Sequence, residues 1–122
     1  MNSDSALTRV ALLDTSEVSL VEIASLQPTD TSLRNGRGIQ YNEPIEVLQT
    51  SDGRRLITNG HHRAFGYYNA GETHIHARVK SPAYYDASAF FTGLDSAHYE
   101  ERASIFRQQG LTHIRDLGSR LG

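Results

Sequence analysis

The chain contains no cysteine and no tryptophan, only three prolines, and a single lysine, Lys80, among its twelve basic residues. Without thiols, disulfide frameworks, thiolate zinc centres, iron–sulfur clusters and cysteine nucleophiles are all excluded. With one lysine among eleven arginines, lysine-nucleophile and Schiff-base chemistry is disfavoured. Charge of one sign is also scarce. Twelve basic against fourteen acidic residues give a net charge of −2, which provides no basic field to gather nucleic acid or an acidic membrane. Apolar runs such as Val10 to Leu13 are far too short to span a bilayer. Met1 to Ala6 is polar and carries Asp4, unlike a secretory leader. The expectation is a cytoplasmic protein without membrane or nucleic-acid partners.

What is present fits one domain. At 122 residues a chain buries roughly two thirds of the surface its unfolded form exposes. We divide it into an arm or extra strand over 1–17, a core over 18–80 and a helical extension over 81–122. Val18 to Ile23 is β-rich and runs into the Leu26-Gln27-Pro28 stop, while Arg9 to Leu13 reads as a further strand or an ordered arm. Thr29 to Asn42 is polar and glycine-dotted, and a loop that long in a small domain tends to be functional. Ile45 to Thr50 and Arg55 to Thr58 flank Ser51-Asp52-Gly53, which predicts a hairpin. A short helix is expected from His61 to Ala70, closed by Gly71. Thr73 to Val79 sets Ile75, Ala77 and Val79 against His74, His76 and Arg78, the pattern of a strand with one polar face, which we place at a sheet edge. Beyond Pro82 the composition turns helical. Asp95 caps a helix running to Gly110, and Thr112 caps a last turn or two with Ile114, Leu117 and Leu121 on one side. This order of elements predicts an α/β or α+β fold, a small mixed sheet with packed helices and a helical C-terminal segment.

The stretch richest in chemistry is Leu56-Ile57-Thr58-Asn59-Gly60-His61-His62-Arg63-Ala64-Phe65. Here a strand ends, glycine permits a sharp turn, and a helix begins under cationic side chains. Unpaired backbone N–H groups at a helix start, added to the helix dipole, favour an anion. Gly60 lets a phosphate approach without a Cβ in the way. Arg63 can fork onto phosphate oxygens, and His61 and His62 can donate hydrogen bonds or move a proton near neutral pH.

Pro44-Ile45-Glu46-Val47, the Asp52-Gly53 hairpin, the Gly60-His61-His62-Arg63 turn, Ala70-Gly71 and Ile75 to Val79 together resemble the core of the ParB/sulfiredoxin superfamily, over Val18 to about Lys80. In that family the turn between strand and helix holds nucleotide phosphates. Its members include CTP-binding partition proteins, ATP-dependent sulfiredoxins, and ADP- or ATP-dependent kinases of free serine. A sulfiredoxin needs cysteine where this chain has His61, so that reduction is excluded. Partition proteins carry Glu-Arg-Arg in place of His61-His62-Arg63 and continue into a helix-turn-helix and a dimerisation domain, for which the stretch after Lys80 is neither long nor basic enough.

The serine-kinase branch is most similar, with a Leu-x-Pro stretch followed by a catalytic carboxylate, matched here by Leu26-Gln27-Pro28-Thr29-Asp30. The resemblance therefore implies a small-molecule phosphotransferase, an ATP- or ADP-dependent kinase of a free hydroxy amino acid or a similar alcohol. Asp30 would act as general base, with His61 and His62 as further catalytic groups. Asn59, Gly60, His61, His62 and Arg63 would hold ATP or ADP, with CTP as a third candidate, and Mg2+ would bridge the phosphates. Arg34 or Arg37 would clamp the carboxylate of the acceptor. Asn59 stands where the family has aspartate, and an amide is neither a base nor a strong magnesium ligand.

The partners implied are a nucleotide and a small-molecule acceptor, with a homodimer left open. Two other classes compete: a non-catalytic nucleotide-gated binding module, and a DNA-associated or nuclease-like ParB domain. A minor alternative is a metal site built from His61, His62, His74 and His76. Arg78 and Lys80 beside the His-x-His pair argue against it, so no metal ligands of the protein's own are assigned.

Overall fold

A computed structural model describes residues 18–30 and 43–117. The expected strand at Arg9 to Leu13, most of the long loop and Leu121 lie outside the described residues. The fold is a mixed α+β domain, as the sequence pattern predicts. The strands are β1 (Ser19–Glu22), β2 (Leu26–Gln27), β3 (Ile45–Gln49), β4 (Arg55–Asn59) and β5 (His74–Lys80). They form one sheet in the order β1-β5-β3-β4-β2. Three helices accompany them: α1 (His61–Asn69), α2 (Pro82–Thr92) and α3 (Ser96–Gln108).

Alternation along β3 explains the two layers. Ile45 and Val47 point to one face and pack with Ile57, Ile75, Ala77 and Ala64 of α1, where Ile114 and Leu117 complete the cluster. Leu48 points to the other face and packs with Leu56, Tyr85 of α2 and Ala103 of α3. The Tyr85 hydroxyl, buried in that second layer, is hydrogen-bonded to Thr58 Oγ1 at 2.7 Å, which satisfies a polar atom that would otherwise be costly to bury. Arg54, just past the β3–β4 turn, bonds Asp52 at 3.0 Å and Glu100 of α3 at 3.2 Å, tying the hairpin to that helix.

The region beyond Pro82 resolves into two helices because their boundary signals are strong. Ser81 accepts from Tyr84 N at the start of α2, and Gly93 ends it in the left-handed conformation. Asp95 caps α3 by accepting from His98 N at 2.9 Å, as its sequence position predicts. Asp86 Oδ1 accepts from Ser96 N and Oγ at 2.9 and 2.8 Å, which fixes the corner between the helices. At Thr112 the expected cap works the other way round. The Asp116 carboxylate accepts from the backbone N–H groups of Thr112 and His113, each at 3.0 Å.

One placement is corrected. β5 is not an edge strand: it lies between β1 and β3, antiparallel to the first and parallel to the second. Its histidines are nonetheless exposed, because the layer of α2 and α3 packs on Leu48 and Leu56 of β3 and β4 and leaves the His74–His76 end of β5 open. The two-residue β2, parallel to β4, is the other edge. Among the described residues no helix is long and apolar enough to cross a membrane.

The second layer rests on few large side chains, so truncating one should be costly. Leu48→Ala should lower the unfolding free energy by about 3 kcal/mol, measured by urea denaturation.

Candidate functional site

β4 ends at Asn59, α1 begins at His61, and Gly60 between them adopts φ 103° and ψ 25°. This left-handed backbone is one that residues with side chains rarely adopt. A Cβ at this position would come within 2.6 Å of Ile45 Cγ2 and 2.9 Å of Arg63 Nη2. Glycine is required here for the angle and again for the space. Ala64 N closes the first helical turn on Gly60 O at 3.0 Å. Gly60 has no side chain to accept from the first amides of α1, so the helix start presents the donors and dipole end that favour an anion.

Arg63 lies on the first turn of α1, with its Nη2 beside Gly60. Its Nη1 donates to Pro44 O at 3.0 Å, joining the helix start to the entry of β3. Among the described residues it forms no ion pair, so its positive charge stays at the turn uncompensated by a carboxylate.

His61 is placed differently from the donor that its sequence position suggests. The ring is buried, and Nε2 accepts from Thr29 N at 2.9 Å. Thr29 in turn donates from Oγ1 to Ile57 O at 2.6 Å and accepts at its carbonyl from Arg102 Nε at 3.3 Å. Burial pushes the His61 imidazole down to about 4, against the pull of the Asp30 carboxylate and with a smaller push from His62. The ring is therefore neutral at physiological pH, with its proton on Nδ1. It serves to position the segment that carries Asp30, which is exposed beside it.

A bulge sets the other side of the site. Glu46 pairs with Asn59 and Val47 with Ile57, so Thr58 is an extra residue in β4. Strict alternation would send Asn59 to the face of Ile57. The bulge instead turns it toward Glu46, and Asn59 Nδ2 donates to Glu46 Oε2 at 3.2 Å. Glu46 pairs across β3–β5 with Arg78, on the face shared with Leu48 and Lys80.

Of the residues expected from sequence, Asn59, Gly60, His61, His62 and Arg63 form the turn, and the Thr29–His61 bond brings Asp30 to it. Arg34 and Arg37 lie outside the described residues. Glu46 and Arg78 were not anticipated. The strand alternation that places both opposite the hydrophobic face was the available signal. Among the described residues no group of three metal-ligating side chains comes together, and the four histidines divide between the turn, where His61 is buried and His62 half-buried, and the exposed positions of β5.

No protein-family model matches this chain, and no curated protein matches it. Among solved structures it is similar to protein Atu1540 from Agrobacterium tumefaciens, at 17% identity and a TM-score of 0.45, over 80% of this chain and 50% of that one. The chain thus spans half the length of that protein.

Two stability measurements test this geometry. Gly60→Ala should cost about 3 kcal/mol, combining backbone strain with overpacking. Gly53→Ala, at φ 89° with nothing within 4 Å of its Cβ, should cost only about 1 kcal/mol of strain. For His61 the folded-state pKa lies below the unfolded one, so its contribution is complete above pH 6.5 and is lost as pH falls toward about 4. Urea midpoints for the wild type should fall by the equivalent of about 3 kcal/mol across that window, and His61→Asn should flatten the slope.

Proposed function

We propose that the β4–α1 turn holds the phosphates of a nucleotide, ATP or ADP with CTP as a third candidate. The domain then acts as a small-molecule phosphotransferase of the ParB/sulfiredoxin kind. The observation that carries this reading is Gly60, whose left-handed backbone leaves the start of α1 without a capping side chain and beside the Arg63 guanidinium. Backbone amides, a helix dipole and a planar guanidinium directed at one place are what phosphate oxygens require.

Phosphoryl transfer needs positioning and charge compensation more than covalent help from the protein. In the reaction we draw, the acceptor's hydroxyl oxygen bonds to the terminal phosphorus and the bond to the leaving nucleotide oxygen breaks. The hydroxyl proton goes to Asp30, which the Thr29–His61 bond holds near the turn. Magnesium, when bound with the nucleotide, compensates charge on the phosphate oxygens. A nucleotide-bound ion takes one or two carboxylates beside phosphates and water. The Glu46 carboxylate, held by Asn59 Nδ2, has the donor chemistry to hold it, whereas the neutral Asn59 does not.

A second reading, a nucleotide-gated module without chemistry, is favoured by Asn59 alone, since an amide stands where the resembling family has a carboxylate. Phosphorus NMR separates the two when ATP, ADP or CTP is mixed with Mg2+, the protein and a panel of hydroxy amino acids. A new phosphoester resonance supports transfer, shifted nucleotide resonances without product support the module, and unperturbed nucleotides overturn both. Arg63→Ala should weaken nucleotide binding by about 10- to 100-fold. Asp30→Asn should leave it within about twofold and lower turnover by about 100-fold or more.

A further inference from the structure

Among the described residues the bulkiest apolar side chains left in solvent are Phe90, 87% exposed, and Phe91, 73% exposed, at the end of α2. Their rings meet edge to face with centroids 5.2 Å apart, and neither belongs to the two buried clusters. Ala83, Ala87 and Phe90 recur at i, i+4 and i+7, so they form one stripe along the helix, with Phe91 at its rim, and all four are exposed. The stripe lies opposite Tyr85, the residue that seats α2 on Leu48 and Leu56, so the side of α2 that faces water is apolar. Asp86 is the single charged residue of this helix, and its carboxylate is engaged by Ser96. Together the two phenylalanines and two alanines expose about 400 Å² of apolar surface, an extent that marks a contact surface rather than scattered exposed residues.

The shape of the stripe selects what covers it. Its N-terminal half carries alanines and its C-terminal half phenylalanines, so the surface is complementary to itself when reversed. We propose that α2 joins two copies of this chain as a reversible antiparallel dimer, in which Phe90 of each copy packs between the partner's Ala83 and Ala87. Such a contact is isologous and closes on itself, and large side chains set against small ones let the two helices approach closely. The two-fold axis then falls beside Ala87. Two such stripes with their polar rims bury about 1,000 Å², the lower end for a specific interface, which suits a dimer that forms and separates with concentration. A membrane surface fits less well, because α2 carries no lysine or arginine to meet acidic headgroups. The proposal is independent of the nucleotide reading, since α2 packs away from the turn at Gly60 and against β3 and β4.

The test is sedimentation velocity on the full chain from about 5 to 500 µM. The wild type should move from one chain toward two as its concentration rises. Phe90→Ser should weaken the association by at least about tenfold, and Ala87→Glu, which sets two carboxylates face to face at the axis, should do the same. Both positions are exposed in the single chain, so the urea midpoints of the variants at the lowest concentration should match that of the wild type. Because the chain has no cysteine, single cysteines report the register. Across the proposed axis the two copies of residue 87 are neighbours, whereas those of residue 83 are about 13 Å apart along the helices. Oxidation should therefore link Ala87→Cys chains at least about ten times faster than Ala83→Cys chains. A wild type that stays monomeric throughout, a dimer that survives Phe90→Ser, or Ala83→Cys chains that link as fast as Ala87→Cys chains would each overturn the proposal. So would a monomeric wild type that sediments with phosphatidylcholine vesicles, since the stripe would then belong to a lipid surface.

Discussion

At Gly60 the chain leaves β4 through a backbone angle open to glycine and lands directly against Ile45. That contact is what allows the first turn of α1 to sit over the hydrophobic face of β3 while Arg63 reaches back to the Pro44 carbonyl. A side chain at residue 60 would push the helix away from the sheet. Ala64 would then lose its place among Ile45, Val47 and Ile57, and the guanidinium would lose its distance to the turn. The packing of the core and the arrangement of the candidate site are thus consequences of one constraint.

The two faces of the sheet divide the work. On one, α1 is anchored by small and branched side chains and offers its start to an anion. On the other, the tyrosines of α2 and α3 cover only part of β3 and β4, and the polar residues of β3, β4 and β5 remain in a row beyond them. The β-bulge at Thr58 joins these halves. By placing one extra residue in β4 it brings Asn59 to the side of Glu46, so the end of the strand serves the phosphate turn with its backbone and the opposite face with its side chain.

Much of this was legible in the amino-acid order because it depends on local chemistry. The alternation of Ile75, Ala77 and Val79 with His74, His76 and Arg78 marked β5 and its polar face, and Ser51-Asp52-Gly53 marked the hairpin. Gly60 next to a cationic helix start marked the turn. What escaped depended on distant partners. Nothing in Leu26-Gln27 foretells a two-residue strand that exists only by pairing with β4, and nothing in β5 itself says that the short β1 will cover its outer edge. The orientation of His61 is decided by the backbone of Thr29, thirty-two residues earlier. Glu46 and Arg78 were visible as outward-facing residues, but their juxtaposition requires the parallel register of β3 and β5, which no local pattern encodes.

Thr29 has a consequence of its own. Through its amide, hydroxyl and carbonyl it touches α1, β4 and α3 in turn, so the helical layers on opposite faces of the sheet meet at a single residue. Displacing Arg102 from that carbonyl would reach the imidazole at the start of α1 by way of one residue, without passing through the hydrophobic interior. The two sides of the domain are thereby joined by a short polar chain through one threonine.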